Sequence, residues 1–464
     1  MDKLAKYLRF DEICKIIKLN SENIGSEEFA VIRNLDYIFS PIEIYPLAPK
    51  VNSRLTDIVA VAMDMDGTST TTEPLALNSL EYMVRRFTGR LSKQEWEGLD
   101  HEKDYPFIIG NSNFRHTEFL VQRYENYINR NALKSAFFEA VLWTLSNMTD
   151  KGRRNDVIQN AINCGIGQLI EDDDLKELIS KNIINDENVA KYTVPFIEKY
   201  GDSFRPANSN KLVAACLDIY YTRYHAIMRR IEKGEGDKLS KELLGSESRH
   251  LIEPMPGYAI YVALIKGLLD DDADLLFDEL KQYMLSNSHN QYSEKEIESK
   301  RNILRPIAEY FRRNPAKTAL VTASIFYEAH VCMKEIMHVA SLEIENWRIS
   351  DKNKRKILDA FSDYRNIYEG FVTASDSSEA RLKPHRDLYS IALYQMSIPK
   401  EQYKNCIVLE DTEPGIVSAR AAGIGLTCAL PNRDTQKQDY SAASYVLYGG
   451  LPELILFHNS FLSN

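Results

Sequence analysis

The sequence lacks several features that would assign it to well-known classes of protein. It contains no run of about 18 uncharged apolar residues, so no segment is expected to span a membrane. It has neither a Gly-Lys dipeptide nor a G-x-S-x-G pattern, which excludes a P-loop and the nucleophile turn of a serine hydrolase. Its six cysteines form no C-x-x-C pair, so we interpret them as reduced thiols of a cytoplasmic protein.

An excess of positive charge is also missing. The chain has 57 Lys and Arg against 67 Asp and Glu, a net charge of −10, so a broad nucleic-acid-binding surface is not expected. A small basic pocket for a phosphate is compatible with that balance. The first residues, through Asp11 and Glu12, contain no apolar segment and do not form a signal peptide. The 464 residues, 44% of them hydrophobic, provide globular material for about three domains.

Hydrophobic patterning divides the chain into an α/β part and a helical part. Residues 58–63 form a continuous apolar run, which suits a strand buried on both faces of a parallel sheet. From about 75 to 252, apolar residues recur at helical spacing and strand-like runs are nearly absent. Short apolar runs then alternate with helical segments, at 319–321, 371–372, 406–409 and 445–447. The predicted fold is α/β, a Rossmann-like open parallel sheet with a large all-helical domain inserted after its first strand.

These patterns predict three parts with defined boundaries. Residues 1–50 are expected to form an N-terminal helical extension. Residues 51–76 and 253–464 together form the α/β core, which includes a helical insertion at about 268–314. Residues 77–252 form the inserted helical domain.

Two aspartates follow the first predicted strand. Asp64 and Asp66 are two residues apart, so their side chains emerge on the same side at the carboxyl end of the strand. Open α/β sheets bind their ligands at that end, and Gly67 lets the backbone turn close to a ligand. The alternative is that the pair only caps the next helix.

A second acidic group follows the apolar run at 406–409. Glu410, Asp411 and Thr412 stand at the end of that strand, and a helix is predicted beyond them. On their own they are compatible with a simple helix cap. Together with Asp64 they offer a carboxylate-rich, all-oxygen site, which suits Mg²⁺ rather than zinc.

A hydroxyl and an amine complete the set of candidate residues. Thr322 follows the run at 319–321, where it could donate to a phosphoryl oxygen or cap the following helix. Lys383 precedes Pro384, which makes its loop stiff, although an isolated lysine is usually a surface charge.

These residues lie in four motifs that resemble those of the haloacid dehalogenase-like superfamily, in the same order along the chain. The motifs are D-x-D-G-T at 64–68, Thr322, K-P-x-x-x-x-Y at 383–389, and E-D-T-x-x-G continuing to Gly423. The similarity is to the β-phosphoglucomutase and phosphoglycolate phosphatase-like subgroup, with an enlarged helical cap.

The sequence departs from this family pattern in three places. Thr71 and Thr72 stand where an Asp-Ser pair is usual. The interval between Asp66 and Thr322 is much longer than a small helical cap needs. The first fifty residues have no counterpart in the resemblance.

The resemblance implies covalent catalysis of phosphoryl transfer. Asp64 would attack a phosphoryl group and form an aspartyl-phosphate, while Asp66 would protonate the leaving group and then activate water. Thr322 and Lys383 would hold the non-bridging phosphate oxygens. The implied Mg²⁺ ligands are the Asp64 and Asp411 side chains, the Asp66 backbone carbonyl, and Glu410 directly or through water.

The resemblance also makes the helical domain at 77–252 a cap that closes over the site. Residues 108–115 resemble the loop that the family places over the nucleophile, so Arg115 or His116 would contact the substrate. The alternative is that Arg115 only begins the solvated face of a helix at 117–128.

Together, these features predict an Mg²⁺-dependent phosphatase acting on a small phosphorylated metabolite. Asp66 argues against a dehalogenase, which lacks the D-x-D pattern, and against a transport ATPase, which has Thr at that position. Two alternatives remain open: a phosphomutase of the β-phosphoglucomutase type, which shares all four motifs, and a binding protein or scaffold on the same core.

Overall fold

The computed structural model describes residues 10–25, 27–34, 38–100, 102–108, 113–245 and 250–463. The chain divides into two compact units. The core unit comprises Met1–Thr71 and Glu253–Asn464, and the helical unit comprises Thr72–Ile252.

The N-terminal extension contains a helix followed by a β-hairpin. Helix α1 (Phe10–Ile24) precedes the antiparallel strands β1 (Phe29–Arg33) and β2 (Ile42–Pro46). The prediction that 1–50 is helical is therefore wrong for its second half. There, alternating apolar and polar residues form half-buried strands, because successive strand side chains point to opposite faces. The buried face of the hairpin packs on the core through Ile32, Tyr45, Leu47 and Ala421.

The core unit is built on a six-stranded parallel sheet. Its strands are β3 (Ala60–Asp64), β4 (Lys317–Val321), β5 (Gly370–Val372), β6 (Cys406–Glu410), β7 (Leu426–Ala429) and β8 (Tyr445–Val446). Their order is β5–β4–β3–β6–β7–β8, with every neighbouring pair parallel. All residues of β3, β6 and β7 are buried, as expected for a sheet covered on both faces. This sheet confirms the predicted α/β class.

Helices surround the sheet within the core unit. They are α11 (Tyr258–Ile265), α12 (Phe277–Ser286), α13 (Glu294–Glu298), α14 (Leu304–Arg313), α15 (Phe326–Glu345), α16 (Asp351–Phe361), α17 (Asp387–Gln395), α18 (Glu413–Ala421) and α19 (Gly450–His458). On one side of the sheet, Ala62 and Val408 belong to the same buried cluster as Leu388 and Leu393 of α17. These contacts anchor the segment that carries Lys383 to the strands beneath it.

The helical unit contains no strand among its described residues. Its helices are α2 (Glu73–Thr88), α3 (Tyr105–Ile108), α4 (Asn113–Arg123), α5 (Arg130–Asn147), α6 (Lys151–Asn163), α7 (Asp173–Ser180), α8 (Val189–Tyr200), α9 (Ser209–Glu232) and α10 (Gly236–Leu244). Helices α5 and α9 supply much of its core, including the fully buried side chains of Phe137, Trp143 and Tyr220. No helix in the described part of the whole chain is long and apolar enough to cross a membrane.

Candidate active site

The end of strand β3 brings the two aspartates to the carboxyl edge of the sheet. Asp64 is the last residue of the strand and is buried, with only 6% of its surface exposed. The chain then turns at Gly67, whose φ of +79° favours glycine. A Cβ at Gly67 would also clash with the carboxylate of Asp411. The glycine therefore allows the β3 turn to approach the acidic residue that follows β6.

Two hydroxyl groups hold the carboxylate of Asp66. Thr322 Oγ1 donates to Asp66 Oδ2 at 3.1 Å, and Ser324 Oγ donates to the same oxygen at 3.2 Å. Thr322 is buried just beyond β4, where its backbone N–H donates to the carbonyl of Val372. The structure thus brings the predicted pair Asp66 and Thr322 together. Sequence reasoning missed Ser324, although its position two residues after Thr322 places both hydroxyls in one turn.

Lys383 reaches from its loop to the centre of the site. Its Nζ donates to the carboxylate of Asp64, to Glu410 Oε1 at 2.5 Å and to the Val321 carbonyl at 3.1 Å. Burial alone would lower the pKa of Lys383, but the charges of Asp64 and Glu410 outweigh it and raise that pKa above its usual value. Lys383 is therefore a buried cation, and the surface-charge interpretation does not apply to it.

Glu410 is fully buried at the end of β6, where it binds several side chains. Besides Lys383, the Tyr389 hydroxyl donates to its Oε1 at 2.6 Å and Thr412 Oγ1 donates to its Oε2 at 3.2 Å. A Cβ on Gly415 would overlap this carboxylate, so the glycine in the fourth motif makes room for it. Tyr389 ends the K-P-x-x-x-x-Y motif, but the spacing of residues along the sequence does not predict its contact with Glu410.

Asp411 follows Glu410 and faces the turn after β3. Asn432 Nδ2 donates to its Oδ2 at 3.0 Å, and Thr68 Oγ1 lies 3.5 Å from its Oδ1. The Tyr440 hydroxyl donates to the Asp411 backbone carbonyl. Sequence reasoning did not single out Asn432, because it lies in a loop after β7, a strand that the apolar pattern did not reveal.

The sequence of this chain is similar to that of a known protein over a short region only. No family model matches it. The chain is 35% identical to protein CbbY of Rhodobacter capsulatus over 80 residues, which is 17% of this chain and 33% of that protein. The matching region thus spans about a third of that curated relative.

Two of the solved structures that are similar to the chain cover most of its length. They are CbbY from Rhodobacter sphaeroides in complex with phosphate (13% identity, TM-score 0.40, 86% of this chain and 96% of that one) and a HAD family hydrolase from Deinococcus radiodurans R1 (13%, 0.39, 88% and 99%). All four motifs lie together at the carboxyl edge of the parallel sheet. The fold is thus an α/β core whose site residues occur in motifs that resemble those of the haloacid dehalogenase-like superfamily.

Buried carboxylates dominate the electrostatics of this site. Burial and the neighbouring charge of Glu410 raise the pKa of Asp64 well above its usual value, against the opposing effect of Lys383. Burial and Glu410 likewise raise the pKa of Tyr389, which keeps its hydroxyl protonated as a donor. The site is therefore short of positive charge relative to its acidic groups.

The donor set of the site fits a divalent cation. Asp64, Glu410 and Asp411 each offer a carboxylate oxygen, and these oxygens lie within 4.8 Å of one another. All three residues are buried, and Mg²⁺ prefers carboxylate oxygens of this kind. The Asp66 carboxylate is held instead by hydroxyls, which leaves its backbone carbonyl as the predicted ligand.

Arg115 lies in the helical unit, on α4. Its Nη1 is 2.6 Å from Glu118 Oε2, and its side chain is 46% exposed. The neighbouring His116 is buried within that unit. Residues 109–112 of the predicted cap loop lie outside the described residues. A contact between Arg115 and substrate therefore stays a prediction.

Proposed function

We propose that this protein is an Mg²⁺-dependent phosphatase that hydrolyses a small phosphorylated metabolite through an aspartyl-phosphate on Asp64. The observation that carries this proposal is the pairing of Asp64 with a buried Lys383 beside a second aspartate, Asp66, held by two hydroxyls. Such a site combines a nucleophile, a proton carrier and a fixed positive charge for a phosphate.

In the first half of the reaction, an Asp64 oxygen attacks phosphorus and the bond to the leaving oxygen breaks. Asp66 donates a proton to that leaving oxygen, so that an alcohol is released. In the second half, Asp66 accepts a proton from water, whose oxygen attacks the same phosphorus. The phosphorus–oxygen bond to Asp64 then breaks, which releases inorganic phosphate and regenerates the free carboxylate of Asp64. The hydrogen bond from Ser324 orients Asp66 for both transfers, while the Thr322 hydroxyl turns from Asp66 to the bound phosphate.

The remaining residues would hold the phosphate and the cation. Lys383 and Thr322 would donate to the non-bridging oxygens as charge shifts onto them. The residues that would hold Mg²⁺ are Asp64, Asp411, the Asp66 carbonyl and, directly or through water, Glu410. When bound, Mg²⁺ supplies positive charge that offsets the repulsion between the nucleophile and the phosphate.

A phosphate-release assay tests this function. Purified protein is incubated with p-nitrophenyl phosphate and a panel of phosphorylated metabolites, with MgCl₂ or with EDTA. We expect release in MgCl₂, reversible loss in EDTA and no turnover by Asp64→Asn, whereas the exposed control Asp271→Asn behaves as wild type. Activity in Asp64→Asn would contradict the assigned nucleophile. Isomerisation of a sugar phosphate without phosphate release would favour the phosphomutase alternative instead.

A further inference from the structure

The N-terminal hairpin lies against the loop that carries Lys383. Glu43 and Tyr45 occupy alternate positions of β2, so their side chains extend to the same side of the strand. Both contact the loop at residues two positions from Lys383. Glu43 binds Arg381 on one side of the lysine, and Tyr45 approaches His385 on the other.

Arg381 links the hairpin to the start of helix α17. Its Nη1 donates to the two carboxylate oxygens of Glu43 at 3.2 and 2.9 Å. Its Nε and Nη2 donate to Asp387 at 2.7 and 3.0 Å in a two-point pairing. Because the guanidinium is planar, these four hydrogen bonds fix its orientation between the two carboxylates.

Tyr45 forms the second contact. Its hydroxyl donates to Glu43 Oε2 and lies 3.3 Å from His385 Nδ1. The rings of Tyr45 and His385 meet edge to face with centroids 6.0 Å apart. The hydrogen bond from Tyr45 and the pairing with Arg381 hold the pKa of Glu43 below its usual value, so Glu43 is charged at neutral pH.

The other side of the same loop is fixed by the core. Ser418 Oγ of α18 donates to the His385 carbonyl at 2.5 Å, and the side chain of Leu382 is buried. Lys383 itself extends inward to Asp64 and Glu410. The loop is therefore held between the hairpin outside and the sheet inside.

We propose that the N-terminal hairpin positions Lys383 for phosphate binding, with Glu43 and Tyr45 as the positioning residues. This inference rests on the proposed function, since it assumes that Lys383 binds the phosphate. It gives a role to a part of the chain that has no counterpart in the family resemblance.

The geometry favours positioning over a general stabilising role. The side chains of Arg381 and Glu43 are 32% and 31% exposed, and ion pairs near the surface contribute little to folding stability. A binding site, in contrast, loses much of its effect when a charged group moves by a fraction of an ångström. Loss of the hairpin contacts should therefore weaken phosphate binding more than it lowers Tm.

Titration calorimetry with inorganic phosphate in MgCl₂ tests the inference on the full chain, together with kcat and KM for p-nitrophenyl phosphate. We expect Glu43→Gln to raise the Kd for phosphate about fivefold. This change corresponds to the free energy of one partly exposed ion pair, such as that between Glu43 and Arg381. Tyr45→Phe should have a smaller effect in the same direction. Both variants should raise KM more than they lower kcat, with Tm close to wild type.

Glu28→Gln provides the matched control. Glu28 also attaches the extension to the core, through Arg420 Nη2 at 2.5 Å, but not through the Lys383 loop. We expect this variant to bind phosphate as wild type does. Equal weakening in Glu28→Gln and Glu43→Gln would overturn the inference, because loosening the extension anywhere would then be enough.

A double-mutant cycle with Lys383→Ala separates positioning from a direct effect. If Glu43 acts through Lys383, Glu43→Gln should change the residual kcat/KM of Lys383→Ala by less than twofold. A fivefold loss in both backgrounds would overturn the inference, as would wild-type phosphate binding by Glu43→Gln. If the wild-type protein neither binds nor releases phosphate, the proposed function fails, and the inference fails with it.

Discussion

Replacing Asp64, the proposed nucleophile, should make the metal-free protein more stable while it abolishes turnover. In Asp64→Asn, the amide oxygen still accepts a hydrogen bond from Lys383, but the buried negative charge is gone. That charge is costly, since burial and Glu410 already raise the pKa of Asp64 well above its usual value. Active sites commonly carry such a cost in stability for the sake of function.

The size of the gain follows from the charges in the cluster. Two carboxylates whose oxygens lie within 4.8 Å of each other repel by at least about 3 kcal/mol at an effective dielectric constant of about 20. Losing the attraction between Asp64 and Lys383 costs a free energy of similar size, so the two Coulomb contributions nearly cancel. The net gain then comes from the desolvation penalty of the Asp64 carboxylate, which the neutral amide avoids. We expect a net gain of about 2 kcal/mol, or about 2 °C in Tm for a chain of 464 residues.

The pH dependence gives the sign of this effect. The folded pKa of Asp64 lies above the usual value of 3.8, so the free energy of unfolding of the wild-type protein falls as pH rises above that usual value and levels off above the folded pKa. The gain in Asp64→Asn should be absent below about pH 4, where Asp64 is protonated in both states. It should grow as pH rises above about 4 and become constant above the folded pKa of Asp64.

Urea unfolding in EDTA at several pH values measures the gain, with the exposed Asp271→Asn as the control for loss of one negative charge. A stability of Asp64→Asn equal to or below wild type at pH 8 would refute the reasoning about the carboxylate cluster.

Three further perturbations test other parts of the site. Saturating Mg²⁺ should stabilise the EDTA-treated protein by about 3 kcal/mol in thermal melts, and Asp411→Asn should remove most of this gain in stability. An equal gain in the variant would argue against Asp411 as a ligand. Lys383→Met should lower kcat for p-nitrophenyl phosphate about 10²- to 10³-fold, and near-normal turnover would reassign the lysine. Gly415→Ala should cost about 1–3 kcal/mol in urea unfolding, because its Cβ would overlap Glu410, whereas Gly152→Ala in helix α6 should be neutral or stabilising.

The sequence predicted the parts of the fold that depend on local pattern. The continuous apolar runs located β3, β4, β5, β6 and β8 to within about three residues, because strands buried on both faces need apolar side chains at every position. Strand β7 was missed because its Leu-Thr-Cys-Ala segment is short and contains a polar residue, Thr427, that is nevertheless fully buried. The hairpin was missed because it is half exposed and its strands are short.

The site was predictable to the extent that its residues follow strands. Asp64, Thr322 and Glu410 all stand at or just beyond the carboxyl ends of adjacent strands, and this edge rule was sufficient to group them. Ser324, Asn432 and Tyr389 join the same site through side-chain hydrogen bonds. Such contacts depend on rotamers and loop paths, which spacing along the chain does not encode.

The position of the helical unit within the chain has a consequence for the order of folding during synthesis. Strand β3 emerges from the ribosome early, but both its neighbours in the sheet, β4 and β6, follow the helical unit. The backbone N–H and C=O groups along the edges of β3 therefore stay unpaired, and its apolar side chains uncovered, until much later, and such a strand exposes a nascent chain to aggregation.

The two core-unit residues that flank the helical unit in the chain reduce this difficulty. Thr71 N–H donates to the Glu253 carbonyl at 2.9 Å, and Glu253 N–H donates to Thr71 Oγ1 at 3.0 Å. Once the helical unit has folded through its local contacts, the chain leaves it beside the point of entry. Closure between β3 and β4 then has the entropic cost of a loop of about 70 residues instead of about 250, so early folding of the helices favours assembly of the parallel sheet.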